Sequence, residues 1–124
     1  MDIEELITEI IDCAYQVRKV LGPGFLESVY QKALVLELQN HQIDSEIECP
    51  INVYYKDTVV GEFRADLLVE NSVIIELKAV NNLLPAHEVQ LVNYLTATQI
   101  DNGLLINFGA SRLEVKRKYR TYLK

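Results

Sequence analysis

The sequence predicts one layered α/β domain, a mixed β-sheet flanked by helices. Its 124 residues suit a single domain with a core of its own, so we expect one domain over residues 1–124. Segments with apolar residues at helical spacing and segments rich in β-branched and aromatic residues follow each other in the order ααβββαββ. A composition of 49% apolar and 24% charged residues excludes disordered, collagen-like and repeat proteins.

Two helices are predicted first, with a glycine–proline turn between them. Apolar residues recur at helical spacing over residues 3–21, and Gly22-Pro23-Gly24 ends this helix because proline cannot continue the hydrogen-bond ladder. A second helix is predicted over about residues 25–41. Its apolar stripe comprises Leu26, Val29, Ala33 and Leu36. Further apolar residues on its other sides predict that this helix is largely enclosed.

The spacing of apolar residues then changes to that of strands. Residues 46–55, 59–69 and 73–80 are rich in β-branched and aromatic side chains and are separated by polar turns. This pattern predicts three strands joined by hairpins. Pro50 predicts an edge position or a bulge for the first strand, because proline lacks the N–H donor of the ladder.

The last part of the chain returns to helical spacing and then to strands. A helix is predicted from Pro85 to about Gln99, and its polar side comprises Gln90, Asn93 and Tyr94. A short buried strand over residues 104–108 and a polar last strand over residues 112–120 complete the predicted sheet.

Charge is distributed unevenly along the chain. The net charge of −6 repels nucleic acid on average. Residues 1–111 hold 17 acidic and 6 basic side chains, whereas residues 112–124 hold 6 basic side chains and one acidic one. The basic segment 112–124 therefore either contacts phosphates or forms a solvated final strand and tail, and charge alone does not decide between them.

Targeting and redox features point to a cytoplasmic protein. No apolar run approaches the roughly 20 residues of a membrane span, and Met1 is followed by acidic residues, unlike a signal peptide. Cys13 and Cys49 lack metal-ligand spacing, so we expect buried thiols in a reducing cytoplasm.

The residues best suited to carry out chemistry are Asp66, Glu76 and Lys78. Side chains alternate along a strand, so Glu76 and Lys78 share one face of the third strand. An odd-numbered loop centred on Asn71 would set Asp66 opposite Glu76 on that face. A two-residue loop at Asn71-Ser72 would turn Asp66 to the other face.

Two facing carboxylates repel each other and require compensation. A hard divalent cation such as Mg²⁺ supplies it, because Mg²⁺ takes oxygen ligands and retains waters. Lys78 could orient the attacking water or offset charge in the transition state, as phosphodiester hydrolysis requires. The structural alternative is a surface ladder of ion pairs in which Lys78 lies between Asp66 and Glu76.

Asp66 followed by Glu76-Leu77-Lys78 on a β-hairpin, with helices before and after it, resembles the PD-(D/E)xK nuclease superfamily. Ala65 stands where the signature has proline, a departure that many members share. The resemblance implies a restriction-endonuclease-like three-layer core and a bound Mg²⁺, for which Mn²⁺ can substitute. It also implies that Asp66, Glu76 and the Leu77 carbonyl ligate the metal and that Lys78 is catalytic.

Two further motifs strengthen the resemblance. Gly24, Glu27 and Tyr30 fit the motif that names the GxxExxY family, a small bacterial and archaeal group assigned to that superfamily. Gln90 and Tyr94 fit the QxxxY motif of the branch that includes recombination-associated exonucleases. These matches imply that Glu27 reaches the metal site, directly or through a water, and that Gln90 and Tyr94 aim at the site or at a bound phosphate.

Each of these residues also has a structural interpretation. Glu27 could be favoured by the helix dipole in the first turn after a Gly24 N-cap. Tyr30 is expected to pack, with its hydroxyl bonded to a neighbour. Gln90 and Tyr94 could simply form the wet side of an amphipathic helix.

The resemblance implies Mg²⁺-dependent phosphodiester hydrolysis of nucleic acid, foremost DNA, in repair, recombination or defence. The alternative is a catalytically silent module that binds nucleic acid or protein and retains the nuclease fold. A homodimer is an option in either case, since the apolar second helix could pair two copies.

Overall fold

The computed structural model describes residues 1–122 and has three helices around one five-stranded sheet within that range. The helices are α1 (Ile3–Leu21), α2 (Glu27–Asn40) and α3 (Pro85–Thr98). The strands are β1 (Ser45–Tyr55), β2 (Thr58–Val69), β3 (Val73–Lys78), β4 (Asn102–Asn107) and β5 (Glu114–Tyr119). The predicted class and the order ααβββαββ are confirmed. Lys124 of the basic segment lies outside the described residues.

The strands lie in the sheet in the order in which they follow along the chain. Neighbouring strands are antiparallel except β3 and β4, which run parallel because α3 carries the chain back across the sheet. Pro50 lies on the edge strand β1, as predicted, where one missing N–H donor does not interrupt a central ladder.

The sheet separates two apolar cores and so makes three layers. Ile75 and Leu77 of β3 enter the core that α1 and α2 cover. Ile74, the residue before Ile75, enters the core that α3 covers. This alternation gives β3 an apolar environment on both faces, which buries Glu76 in the middle of the domain (6% exposed). Along residues 1–122, no helix is both long enough and apolar enough to span a membrane.

Helix α2 buries a different stripe from the predicted one. Tyr30, Leu34 and Leu38 are fully buried at a spacing of four residues, whereas Leu26 and Leu36 are 77% and 62% exposed. The predicted stripe and the predicted enclosure of this helix were therefore wrong. The helix is apolar on several sides, and as part of an outer layer it packs with only one of them.

Tyr30 fixes the turn that leads into α2. Its hydroxyl donates to the Gly22 carbonyl at 2.6 Å and accepts from the Phe25 N–H at 3.2 Å. Its ring stacks on Phe108 with centroids 4.5 Å apart, so Tyr30 packs as expected. The helix begins at Glu27 with Leu26 as its N-cap, and the suggested N-cap at Gly24 was wrong.

Asn107 fixes the chain just beyond the end of β3. Its buried amide donates to the Val80 carbonyl and to Glu114, both at 2.8 Å, and accepts from the Val80 N–H at 3.0 Å. The neighbouring Gly109 leaves no room for a side chain, because a Cβ there would lie 2.5 Å from the Ala79 backbone. Together they hold the segment that follows Lys78.

Asn107→Ala is expected to lower the free energy of unfolding by about 1–3 kcal/mol, because it leaves the half-buried N–H and C=O of Val80 without these partners. Urea denaturation of the variant and the wild type measures the loss. Asn81→Ala is the matched control, since Asn81 is exposed. An equal loss in both variants would contradict the role given to Asn107.

Candidate metal centre

Strands β2 and β3 part at Asp66, and side chains take over their hydrogen bonding there. The ladder pairs Val69 with Val73 and ends at Leu67 with Ile75. Beyond it, the Leu77 N–H donates to Asp66 Oδ2 and the Asp66 N–H donates to Glu76 Oε2, each at 2.8 Å. Three residues separate Val69 from Val73, so the odd-numbered loop is confirmed and the two-residue loop is excluded.

The backbone of β2 rotates at this point. Leu67 belongs to the core under α1 and α2, whereas Ala65 belongs to the core under α3. In a regular strand these two residues would face the same side. Glu48 occupies the facing position on β1, outside the regular pairs, with a positive φ of 51°. The paired irregularities open the sheet beside Asp66.

A cavity of about 220 Å³ lies at this opening. Its lining comprises Glu27, Ser28, Gln31, Glu48, Asp66 and Leu77. The Gln31 amide donates to Glu48 Oε1 at 3.0 Å and to the Asp66 carbonyl at 2.9 Å, which ties α2 to both strands. Glu27, the first residue of α2, is exposed at the rim.

The carboxyl groups at this site carry more negative charge than their surroundings compensate. Burial, followed by the charge of Asp66, raises the pKa of Glu76 from 4.5 to about 8. Burial is also the main reason why the pKa of Asp66 is raised, and Glu48 adds to it. The charge of Lys78 acts in the opposite direction on the pKa of both groups and only partly offsets these effects.

This donor set fits a hard divalent cation. The N–H and C=O of a strand residue point to the same side, so the Leu77 carbonyl is turned toward Asp66 together with its N–H. Carboxylate and carbonyl oxygens are the ligands that Mg²⁺ prefers, and a cation would relieve the repulsion between Asp66 and Glu76. The structure thus brings Asp66, Glu76 and Leu77 together, with Glu27 at the edge of the same cavity.

Tyr94 lies on the sheet-facing side of α3, so its predicted place on the polar side was wrong. It is 6% exposed and packs against Phe63, with ring centroids 5.4 Å apart. Burial raises the pKa of its hydroxyl, and the charges of Glu76 and Asp66 raise it further, so the hydroxyl lies within electrostatic range of both carboxyl groups. Burial prevails over the polar hydroxyl because the ring supplies most of the contact area.

Gln90 is exposed one helical turn before Tyr94. Both residues line a groove of about 1070 Å³ between α3 and the β1–β2 hairpin. Val89 is 58% exposed and lines the same groove.

Glu48 and Gln31 were missed by sequence reasoning. Glu48 acts on Asp66 because both strands are irregular at the same level, and a positive φ at a glutamate leaves no sign in the spacing of residues. Gln31 directly follows Tyr30 of the GxxExxY motif, so its position next to that motif was the one available signal.

Three of the six basic side chains of the basic segment, Arg117, Lys118 and Arg120, form ion pairs within the chain. Arg117 binds Glu4 through two nitrogens at 2.7 and 2.9 Å, and Lys118 binds Glu88 at 3.0 Å. Lys116 is exposed. Leu105 of β4 pairs with Glu76 on one side and with Lys116 on the other, so Lys116 and Glu76 are about 10 Å apart at ordinary strand spacing. Part of this charge is therefore paired with acidic side chains of the same chain, which favours the structural interpretation of the segment.

Comparison with known proteins agrees with this architecture. The family model described as the PD-(D/E)XK nuclease superfamily matches residues 4–118. The crystal structure of SSO0001 superposes with a TM-score of 0.59 at 21% identity, over 77% of this chain and 51% of that one, which is a likeness of fold. This chain thus spans about half the length of SSO0001. No curated protein matches the chain significantly.

Glu76→Gln is expected to stabilise the metal-free protein increasingly as the pH rises from 4.5 toward about 8. In the wild type the native state holds the Glu76 proton more tightly than the unfolded state does. The free energy of unfolding of the wild type therefore falls as the pH rises over this interval. The gain at pH 9 should be on the order of 2–4 kcal/mol. Thermal unfolding at pH 5 and 9 measures it.

Glu62→Gln on the exposed part of β2 is the matched control and should show no such trend. A difference between Glu76→Gln and the wild type that stays constant from pH 5 to 9 would contradict the raised pKa of Glu76.

Proposed function

The chain belongs to the PD-(D/E)XK nuclease superfamily, and we propose from this membership that it hydrolyses phosphodiester bonds of nucleic acid with the help of a divalent cation. One observation carries the proposal. The Glu76 carboxylate accepts from the Asp66 N–H and the Asp66 carboxylate accepts from the Leu77 N–H, so two acids that are ten residues apart in sequence share one site beside Lys78. Burial and the charge of Asp66 oppose the ionisation of Glu76, and a bound cation would offset both effects.

Four residues would hold the cation. Asp66 and Glu76 would contribute carboxylate oxygens and Leu77 its carbonyl, while Glu27 would bind directly or through a water. Glu48, across the cavity, would add negative charge that favours binding. When bound, the cation would neutralise charge on the phosphate and lower the pKa of a water molecule near it.

Lys78 would be the catalytic lysine. Its charge already acts on both carboxyl groups, so its ammonium lies within electrostatic range of the place where the cation would bind. There it can hold the attacking water and offset the negative charge that develops in the transition state. Asn107 and Gly109 keep the segment after Lys78 in place, which limits the positions the lysine can take.

Gln90 and Tyr94 would bind the substrate on the α3 side. The Tyr94 hydroxyl faces the carboxylates, and Gln90 lies one turn away at the edge of the neighbouring groove. A phenol and an amide four residues apart on one helix face can donate hydrogen bonds to neighbouring phosphate oxygens. Both residues would orient the sugar–phosphate backbone of the nucleic acid and would not distinguish one base sequence from another.

The finer assignments are part of the same proposal. DNA is the proposed substrate, Mg²⁺ the proposed cation with Mn²⁺ as its substitute, and DNA repair, recombination or defence in the cytoplasm the proposed role. Gly24, Glu27 and Tyr30 support membership of the GxxExxY family. A homodimer that pairs through the exposed Leu36 of α2 and Leu26, its N-cap, also belongs to the proposal.

Asp66→Asn and Lys78→Ala are expected to reduce metal-dependent cleavage at least about 100-fold, since each removes a group that acts on the transition state. Plasmid and oligonucleotide substrates, single- and double-stranded, are incubated with Mg²⁺ or Mn²⁺ and resolved on gels. Circular dichroism checks that both variants are folded.

Asp57→Asn and Lys19→Ala are the matched controls, because they remove the same charges in the β1–β2 turn and near the end of α1. Cleavage by Asp66→Asn and Lys78→Ala at wild-type rates would reject the site. Stabilisation by Mg²⁺ without cleavage of any nucleic acid would instead support the alternative, a silent binding module that retains the fold.

Cation affinity should fall as the pH is lowered below about 8, by about tenfold for each unit, because binding displaces the proton of Glu76. The shift of the melting temperature is measured against Mn²⁺ concentration between pH 6 and 9. Glu76→Gln should abolish both the binding and its pH dependence. Binding that does not change with pH would contradict Glu76 as a ligand.

A further inference from the structure

A second group of ligating side chains lies at the other end of α2. Cys13 Sγ, a carboxylate oxygen of Glu37 and a ring nitrogen of His41 all lie within 4.8 Å of one another. Glu27 begins this 14-residue helix and His41 follows its last residue, so the group is about 20 Å from the rim of the candidate nuclease site. It is therefore separate from the donors around Asp66.

The sequence brings these residues together through two helical pairs. Glu9 and Cys13 are four residues apart on α1, and Glu37 and His41 are four residues apart at the end of α2, so each pair shares one helix face. The helices pack against each other, with Glu9 beside His41 and Cys13 close to Glu37 and His41.

The contacts of the two ring nitrogens of His41 match those of a metal-binding imidazole. Nδ1 lies 2.9 Å from Glu9 Oε2, and Nε2 lies 3.5 Å from Glu37 Oε2. A carboxylate on one ring nitrogen fixes the tautomer and leaves the other nitrogen free to bind a metal, a common arrangement around protein-bound zinc. Thiolate, imidazole and carboxylate are the usual Zn²⁺ ligands, at about 2.0–2.3 Å from the ion.

The electrostatic environment favours a cation at this place. Burial, followed by the charges of Glu37, Glu9 and Asp12, raises the pKa of the Cys13 thiol to about 11. A cation would offset these acidic charges and stabilise the thiolate. The side chains of Glu9, Glu37 and His41 are 41%, 26% and 38% exposed, which gives an ion access from solvent.

We propose that Cys13, Glu37 and His41 form a zinc-binding site, with Glu9 orienting the imidazole of His41. As the Zn–S bond forms, the Cys13 proton is released to solvent. A water molecule completes the four-coordinate shell. The soft thiolate excludes Mg²⁺, so this site and the candidate nuclease site take different cations. The site joins α1 to α2 at the end remote from Glu27.

Zn²⁺ and Co²⁺ binding is measured in the Asp66→Asn background, which removes binding at the other site. We expect one ion per chain, a thiolate-to-cobalt absorption band in the near ultraviolet, and a raised melting temperature. His41→Ala should weaken affinity at least about tenfold, and Cys13→Ala should abolish the absorption band. His41 is partly exposed, so its variant keeps the fold even where Cys13→Ala does not.

Cys49→Ser is the matched control, because Cys49 lies on β1 away from these helices and should leave the band unchanged. Glu9→Gln should weaken binding but retain the band. Absence of the band in the parent protein, or unchanged affinity in His41→Ala, would overturn the proposal. His41 would then only form ion pairs with Glu9 and Glu37. Because Asp66 is already replaced, neither result bears on the nuclease proposal.

Discussion

The architecture of the candidate site depends on an exchange of hydrogen bonds where β2 and β3 part. The carboxylates of Asp66 and Glu76 accept from the backbone of the opposite strand, in place of the carbonyls that an ordinary ladder would use. The sheet can therefore open without leaving its amides unpaired, which would be costly in a buried position. The same two bonds hold both acids close enough to repel each other, and this repulsion is what makes the site receptive to a cation.

Helix α2 supplies the remaining support of this site. Tyr30 anchors the start of the helix to the preceding turn and to Phe108, and Gln31 connects the next residue to Glu48 and Asp66. Two adjacent residues of the helix thus make its two contacts, Tyr30 with the apolar core and Gln31 with the strands that part. The tyrosine of the GxxExxY motif has a structural role here, since the ring and hydroxyl of Tyr30 hold the start of the helix that begins at Glu27.

The elements were predictable because their apolar spacing is strong and their turns are marked. The helix over residues 3–21 followed from the period of the sequence alone. The loop around Asn71 did not, because the sequence allowed both an odd-numbered and a two-residue loop, and the strand register decided between them. The buried face of α2 did not, because that helix is apolar on several sides and only tertiary packing selects Tyr30, Leu34 and Leu38. Glu48 could not be found either, since its place depends on an irregular backbone that spacing rules do not describe.

The three-residue loop between β2 and β3 has an evolutionary consequence. A residue inserted in the loop would lengthen it while Val69 stays paired with Val73, so Asp66 and Glu76 would keep their facing. A residue inserted between Asp66 and Val69 would instead reverse the facing of Asp66 relative to Glu76, unless a bulge absorbed it. Among homologues that retain both acids, the length of this surface loop should therefore vary freely, whereas the number of residues between each acid and the paired valine should stay constant.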